Sequence, residues 1–385
     1  MGKIQYKRQP RILLVANVGK EHVLKFHVPT IKMLVEHGWH VDVACSGEEE
    51  IPYCNHHFIM SYKRSPFNLA IFKGIKELIQ IIADGKYDIV YCHTPVGGLA
   101  ARIASRKARK NGTKVIYMAH GYHFFKGAPK KNWVIYYPIE KVMSWLTDSI
   151  ILINQEDYSL TKKNFSNCNA YLLDGIGVAT QRFIIEDKQA VRAEYRRKMH
   201  ISEDANVLIY LAELLPNKNQ TFLMRVFKRV LETNKNTYLV LAGFDHSNGQ
   251  FEKYAEEIGI KEYVRFLGWR EDVGNLYAMA DICTATSIRE GFGLNLVEAM
   301  FCEIPVIATK NRGHVTIVRD GENGFLVDLD DEELFTKRIL QLIEDKELRQ
   351  KFVECGNREK DRYSSDTVVS EIKKILEEHL SKEVL

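Results

Sequence analysis

Glu290 and Glu298 stand at the two ends of the run Glu-Gly-Phe-Gly-Leu-Asn-Leu-Val-Glu, with Gly291 and Gly293 between them. The preceding run, Ile282 to Thr286, is apolar and β-compatible, and Leu296 to Phe301 has helical character. The loop therefore joins the carboxyl end of a strand to the amino end of a helix, where free backbone N–H groups and the helix dipole favour an anion such as a diphosphate. The two glycines permit tight backbone and close ligand approach. A carboxylate on each flank suits neutral hydroxyls, as on a ribose diol or a sugar ring, better than further phosphate. Taken singly, the two acids have blander readings. Asn295 followed by Glu298 has the spacing of a capping box, and Glu290 could be a solvated loop carboxylate. The pair together, in its glycine-punctuated context, favours a ligand.

This segment resembles the signature of the family-four group of retaining glycosyltransferases with the glycosyltransferase B fold. The likeness spans nearly the whole chain. His120-Gly-Tyr-His-Phe-Phe-Lys-Gly-Ala-Pro129 resembles the amino-domain loop of members that build bacterial capsule, exopolysaccharide and lipid-linked glycans. Asn206 to Asn219, Gly268 to Asp272 and Arg312 to Gly324 match further landmarks in the expected order. The resemblance implies an α/β chain of two doubly wound, Rossmann-like domains facing across a cleft. Residues 1–175 would bind acceptor, with a carboxyl-terminal helix of about 364–385 packing back on them, and residues 176–363 would bind nucleotide sugar.

The implied roles follow residue by residue. Glu298 would hold the ribose hydroxyls and Glu290 those of the transferred sugar. Lys218 would meet the diphosphate, with Asn219 beside it, and backbone amides of Phe292, Gly293, Leu294 and Asn295 would contact sugar and phosphate. Trp269 and Arg270 would hold the base. One departure is visible: where the family often has a basic residue, this chain has Glu213, so Lys218 carries more charge, aided by the helix after Asn295 and by a further cation such as Arg270 or Arg289. From the amino half, Gly19 in Asn17-Val-Gly19-Lys20 should approach the diphosphate. His120 follows the apolar run Val115-Ile-Tyr-Met-Ala and coincides with the family's active-site histidine, so it should emerge at the cleft and position sugar and acceptor. His123 is a weaker candidate, and His93 would line the acceptor side.

The function implied is transfer of a hexose or N-acetylhexosamine, with retained configuration, from a UDP-sugar to a polyprenyl-diphosphate-linked saccharide. No cofactor and no metal are expected. A nucleotide-sugar epimerase of the same fold is the alternative, and it would need acid and base groups aimed at the sugar ring. A nicotinamide dehydrogenase is discounted, because the first strand-helix turn offers only Gly19 where Gly-x-Gly-x-x-Gly is required.

Composition sets the outer bounds. With 385 residues, 45% hydrophobic and 27% charged, the chain reads as an ordinary globular protein long enough for two cores. No apolar run approaches the length of a membrane span, and the amino terminus lacks a signal-peptide core, which predicts a cytoplasmic protein. The net charge of +4 hides an asymmetry: residues 1–175 hold 24 Lys+Arg against 14 Asp+Glu, and the remainder 30 against 36. In the basic half, Lys126, Lys130 and Lys131 lie beside Trp133, Tyr136 and Tyr137, a mixture suited to an anionic membrane surface on the inner face of the cell membrane. The cluster Arg106-Lys107-Ala-Arg109-Lys110 reads instead as a solvated helix face. No nucleic-acid module is present. Seven scattered cysteines predict reduced thiols, and the 13 histidines show no accompanying carboxylate or cysteine cluster at ligand spacing.

Short β-branched runs alternate with helical patterns throughout, which predicts two parallel sheets wrapped by helices. The expected strands of the first half are Arg11–Ala16, His40–Ala44, Phe58–Met60, Asp88–Cys92, Lys114–Ala119, Ser149–Ile153 and Ala170–Leu172. Those of the second are Val207–Leu211, Tyr238–Ala242, Val264–Leu267, Ile282–Thr286, Pro305–Thr309 and Gly324–Val327. Helices are expected at Gln220–Thr233, Gln250–Ile258 and Glu332–Ile343, and the domain boundary at Asp174-Gly-Ile-Gly-Val.

Overall fold

Each expected strand is present; most are apolar runs buried on both faces, with no helical periodicity to compete with their β-branched preference, and the partly exposed runs His56–Ile59 and Asn169–Leu172 pair as edge strands. The structure, a computed structural model, describes residues 6–62 and 69–385. Met1 to Gln5, part of the amino terminus considered above, lie outside the described residues. The chain divides into two compact units, Met1–Gly177 with Ser365–Leu385, and Val178–Ser364.

Among the described residues the first unit has seven parallel strands: β1 (Arg11–Val18), β2 (His40–Ser46), β3 (His56–Ile59), β4 (Ile89–His93), β5 (Lys114–Ala119), β6 (Ser149–Leu152) and β7 (Asn169–Leu172), in the order β3-β2-β1-β4-β5-β6-β7. The chain winds outward from β1 to β3, then returns to place β4 on the other side of β1. Loops leaving the carboxyl ends of β1 and β4 diverge there, which opens the crevice where such sheets bind ligands. The helix Pro95–Ala104 packs close to this point, since a Cβ on Gly97 would lie 2.9 Å from the Ala16 carbonyl carbon.

The amphipathic helix Ser365–Glu377 packs against the helix Val28–Glu36 of the same unit. Tyr6 ties the two ends of the chain together. Its hydroxyl donates to Glu377 Oε1 at 2.5 Å and accepts from Trp39 Nε1 at 2.9 Å. His379 Nε2 meets Ser149 Oγ at 2.7 Å, and the Lys7 amide donates to the Val384 carbonyl.

The helix Lys130–Ser144 is fixed through a buried ion pair. Glu140 takes two hydrogen bonds from Arg102, at 2.7 and 3.2 Å, while the guanidinium lies 4.1 Å from the Tyr117 ring centroid. Among the described residues, no helix is long and apolar enough to cross a membrane.

The second unit carries six parallel strands: β8 (Asn206–Leu211), β9 (Thr237–Ala242), β10 (Val264–Phe266), β11 (Ile282–Ala285), β12 (Val306–Thr309) and β13 (Gly324–Val327). Their order, β10-β9-β8-β11-β12-β13, puts the reversal of winding between β8 and β11. Helices Gln220–Thr233, Gln250–Glu257 and Glu332–Glu344 fall where the sequence placed them.

Candidate active site

The reversal between β8 and β11 decides which side chains meet. Lys218 lies in the 3₁₀ turn Pro216–Lys218 after β8, and Glu290 lies in the loop after β11. Adjacent strands bring them into an ion pair, Lys218 Nζ to Glu290 Oε1 at 2.5 Å, with the side chains 23% and 17% exposed. Ser287 Oγ donates to the same carboxylate oxygen at 2.6 Å, and Tyr210, buried under the turn, reaches Ser287 Oγ at 2.8 Å. Burial pushes the Glu290 carboxyl up, but Lys218 beside it outweighs that, and the group sits below its ordinary value. Sequence reasoning gave these two residues separate partners and did not foresee that they neutralise each other.

Asn219 adopts a left-handed conformation, φ +57°, and turns the chain from the 3₁₀ turn into the helix Gln220–Thr233. The loop after Glu290 ends in Gly293 at φ +121°, which caps the helix Leu294–Phe301 with no side-chain cap hydrogen bond. The capping-box reading of Asn295 and Glu298 therefore fails. Asn295 lies inside the first turn, its Nδ2 buried without a partner. Phe292 is 5% exposed and packs edge-on against Tyr363, so only its backbone is available to a ligand.

Glu298 lies further along this helix. Its Oε2 accepts from Tyr277 at 3.4 Å, and burial raises its carboxyl above the ordinary value against the attraction of Arg182. With Arg182, Glu213, Trp269 and Arg270 it lines a cavity of about 180 Å³. The Trp269 ring is 58% exposed at this rim. Arg270 is engaged by both oxygens of Asp272, at 2.7 and 2.5 Å, and Glu213 pairs with His246 at 3.4 Å. The cation added to Glu298's surroundings is thus Arg182, which no sequence motif singled out.

His314 was also missed, although the stretch Arg312 to Gly324 contains it. Asn311 Oδ1 accepts from the His314 amide at 3.0 Å, and His314 Nδ1 lies 2.7 Å from the Thr309 carbonyl oxygen. The ring is fully buried, its Nε2 has no partner, and burial lowers its pKa to about 4. A Cβ on Gly293 would stand 3.1 Å from this ring, so glycine lets the histidine reach the helix terminus.

In the first unit, the histidines take places that the sequence did not fully foresee. His93 is fully buried at the end of β4, between Tyr91 at 4.2 Å and His27 at 3.8 Å between ring centroids, so it lines no acceptor surface. His120 is half-buried after β5, with Nε2 enclosed and His22 at 4.6 Å between ring centroids. The histidines, scattered in sequence, are not scattered in space: ligating atoms of His22, His27, His93 and His120 all lie within 4.8 Å of one another. Sequence spacing missed this because three separate segments supply the rings.

Gly19 opens a π-helical turn, Gly19–Val23, that carries His22. His123 stays outside the cluster, stacked on Tyr136 at 4.6 Å. Lys126, Lys130 and Lys131 are exposed. The helix they introduce also exposes Trp133, Val134, Ile135, Ile139 and Val142, and Trp145 is exposed at its carboxyl cap, a longer apolar face than the sequence suggested.

The family profile described as "Glycosyl transferases group 1" matches residues 191–359, and "Glycosyl transferase 4-like" matches residues 11–154. The chain is 42% identical over 367 residues to the Bacillus subtilis (strain 168) protein named "Putative glycosyltransferase EpsD", covering 94% of this chain and 95% of that one. It is 24% identical over 298 residues to the Escherichia coli UDP-Gal:alpha-D-GlcNAc-diphosphoundecaprenol alpha-1,3-galactosyltransferase, covering 76% of each. The crystal structure of Anabaena HepE with UDP and glucose superposes with a TM-score of 0.79 at 18% identity, over 96% of this chain and all of that one. A carboxylate pair around a bare helix terminus, two doubly wound sheets and these matches agree: the chain belongs to the group 1, 4-like family of glycosyltransferases and has the glycosyltransferase B fold.

Proposed function

We propose that the chain is a retaining transferase that moves a hexose or N-acetylhexosamine from a UDP-sugar to a lipid-diphosphate-linked saccharide in bacterial surface polysaccharide assembly. The observation that carries this reading is the arrangement around the bare helix terminus at Gly293. Lys218 pairs with Glu290 in the loop before it, and Glu298, further along the helix, lines the cavity rimmed by Trp269. Glu298 would grip the ribose, Trp269 would stack on the base, and Lys218 with the helix amides would take up the diphosphate. The UDP complexes of the structural neighbour and the donor and diphosphoundecaprenol acceptor named for the E. coli relative support the choice of ligands. The curated relatives named here are glycosyltransferases, and the epimerase alternative finds no support among them.

The chemistry asked of the site is modest. The bond from C1 of the sugar to the phosphate oxygen breaks, and a bond from C1 to the acceptor oxygen forms on the same face. The departing phosphate oxygen takes the acceptor's proton. No side-chain nucleophile is required, and the developing charge is met by Lys218 and peptide dipoles, without a metal on the diphosphate. The first unit would present the acceptor. Its exposed helix Lys130–Ser144, with Trp133, Trp145 and nearby lysines, suits peripheral contact with an anionic membrane face.

A panel of nucleotide sugars tests the donor assignment by thermal unfolding, since a ligand that binds only the native state raises Tm. A UDP-sugar is expected to stabilise wild type and to leave Glu298→Ala unshifted. Stabilisation of both proteins alike refutes the ribose contact. Turnover is expected to proceed without added Mg²⁺ or Mn²⁺, with the anomeric configuration of the product read by NMR. Inversion refutes the mechanism.

A further inference from the structure

The amino-terminal unit gathers four imidazoles at its own winding reversal, where β1, β4 and β5 are neighbours. His22 comes from the turn after β1, and His27 from the junction before the helix Val28–Glu36. His93 ends β4, and His120 directly follows β5. Three crossovers deliver the rings to one point.

The geometry is that of a ligand set. Around a tetrahedral ion with metal–nitrogen bonds of about 2.0–2.1 Å, imidazole centroids fall about 5 Å apart. The six centroid separations here run from 3.8 to 6.0 Å, and four of them lie between 4.6 and 5.8 Å. His22 Nε2 and His27 Nε2 already stand 3.1 Å apart, close to the spacing of two donors on one ion. His93 is fully buried with neither ring nitrogen partnered, and His120 Nε2 is buried and unpartnered as well. Buried polar groups ordinarily find a partner, so these orphaned nitrogens ask for one.

We propose that His22, His27, His93 and His120 bind a transition-metal ion of the Zn²⁺ class. The protonation state favours it. Burial, reinforced by the neighbouring imidazoles, holds His27 and His93 well below the ordinary value, and burial alone lowers His120 to about 4. Those three rings are therefore neutral, the form that ligates a metal. An all-imidazole set suits Zn²⁺, Ni²⁺ or Cu²⁺ and not Mg²⁺, so the ion is distinct from one that would accompany a diphosphate. His22 and His120 are half-buried, which leaves an approach from their side, whereas His27 and His93 form the closed floor. With no carboxylate among the ligands, the ion keeps its full double positive charge. The proposal does not rest on the transferase reading, because it concerns residues of the first unit alone.

The full chain, stripped with chelator and titrated with ZnCl₂ by calorimetry, is expected to bind one ion. Absorption at the zinc edge should show nitrogen neighbours alone at about 2.0–2.1 Å. His22→Ala and His120→Ala, at the half-buried positions, are expected to keep the wild-type circular dichroism and to weaken Zn²⁺ at least about 100-fold. His56→Ala, on the exposed edge strand, should leave the affinity unchanged, as should added MgCl₂. Failure of folded wild type to bind Zn²⁺ saturably overturns the proposal. Unchanged affinity in both His22→Ala and His120→Ala, or an oxygen-rich zinc shell, does so equally.

Discussion

Because Glu290 occupies the cation assigned to the diphosphate, the two substitutions Lys218→Met and Glu290→Gln should act in opposite directions on UDP binding. Two unit charges about 4 Å apart at an effective dielectric of 20 interact by about 4 kcal/mol. Solvent reaches both side chains, at 23% and 17% exposure, so about half to three-quarters of that, roughly 2–3 kcal/mol, is retained. Loss of Lys218 should therefore weaken UDP about 30- to 150-fold. Glu290→Gln removes a competitor for the lysine, and UDP has no sugar for Glu290 to grip. That variant should bind UDP as well as wild type or up to about tenfold tighter. Its turnover of the UDP-sugar should nonetheless fall about 10²- to 10³-fold, the usual loss when one transition-state contact is removed. Calorimetry with UDP and initial rates with the donor identified in the panel separate the two effects. If Glu290→Gln weakens UDP as much as Lys218→Met does, the competition does not exist and the carboxylate helps to hold the diphosphate.

Three further outcomes follow from described contacts. His314 is buried neutral with a pKa of about 4, so in the window from about 6.5 down to 4 the unfolded chain takes up the proton first and stability falls with pH; His314→Gln should flatten that part of a urea-denaturation series by up to about 3 kcal/mol. Glu140→Ala strands the Arg102 guanidinium in the core and should cost about 3–5 kcal/mol, read as a lower Tm with the secondary structure retained. Lys130→Glu with Lys131→Glu should reduce co-sedimentation with anionic vesicles at least tenfold, at about 1 kcal/mol for each basic residue lost, and unchanged partitioning removes the membrane argument.

Most of the strands were legible because parallel strands covered on both faces are continuous apolar runs; β4, for example, is buried at every residue, whereas the edge strands β3 and β7 are partly exposed. Glu290, Glu298 and Lys218 were legible through the motif that carries them. What the motif did not carry is the pairing of Lys218 with Glu290, which depends on β8 and β11 being neighbours in the sheet, a fact of topology. Arg182 has no local signal at all, since it reaches the Glu298 cavity from the segment that precedes β8. The four histidines show the same limit more sharply. Ligand rules written as spacings see residues on one segment, and these come from the ends of three strands.

Tyr6, Trp39 and Glu377 have a consequence for synthesis of the polypeptide. The first unit takes material from both extremities of the chain, whereas the second is continuous from Val178 to Ser364. On the ribosome the seven-stranded half must therefore wait, its surface beside the helix Val28–Glu36 uncovered, while the later half is made and can already fold. A premature stop before Ser365 would strip cover from the earlier half and leave the later one whole, so chaperone dependence and proteolytic clearance of such truncations should trace to the residues translated first.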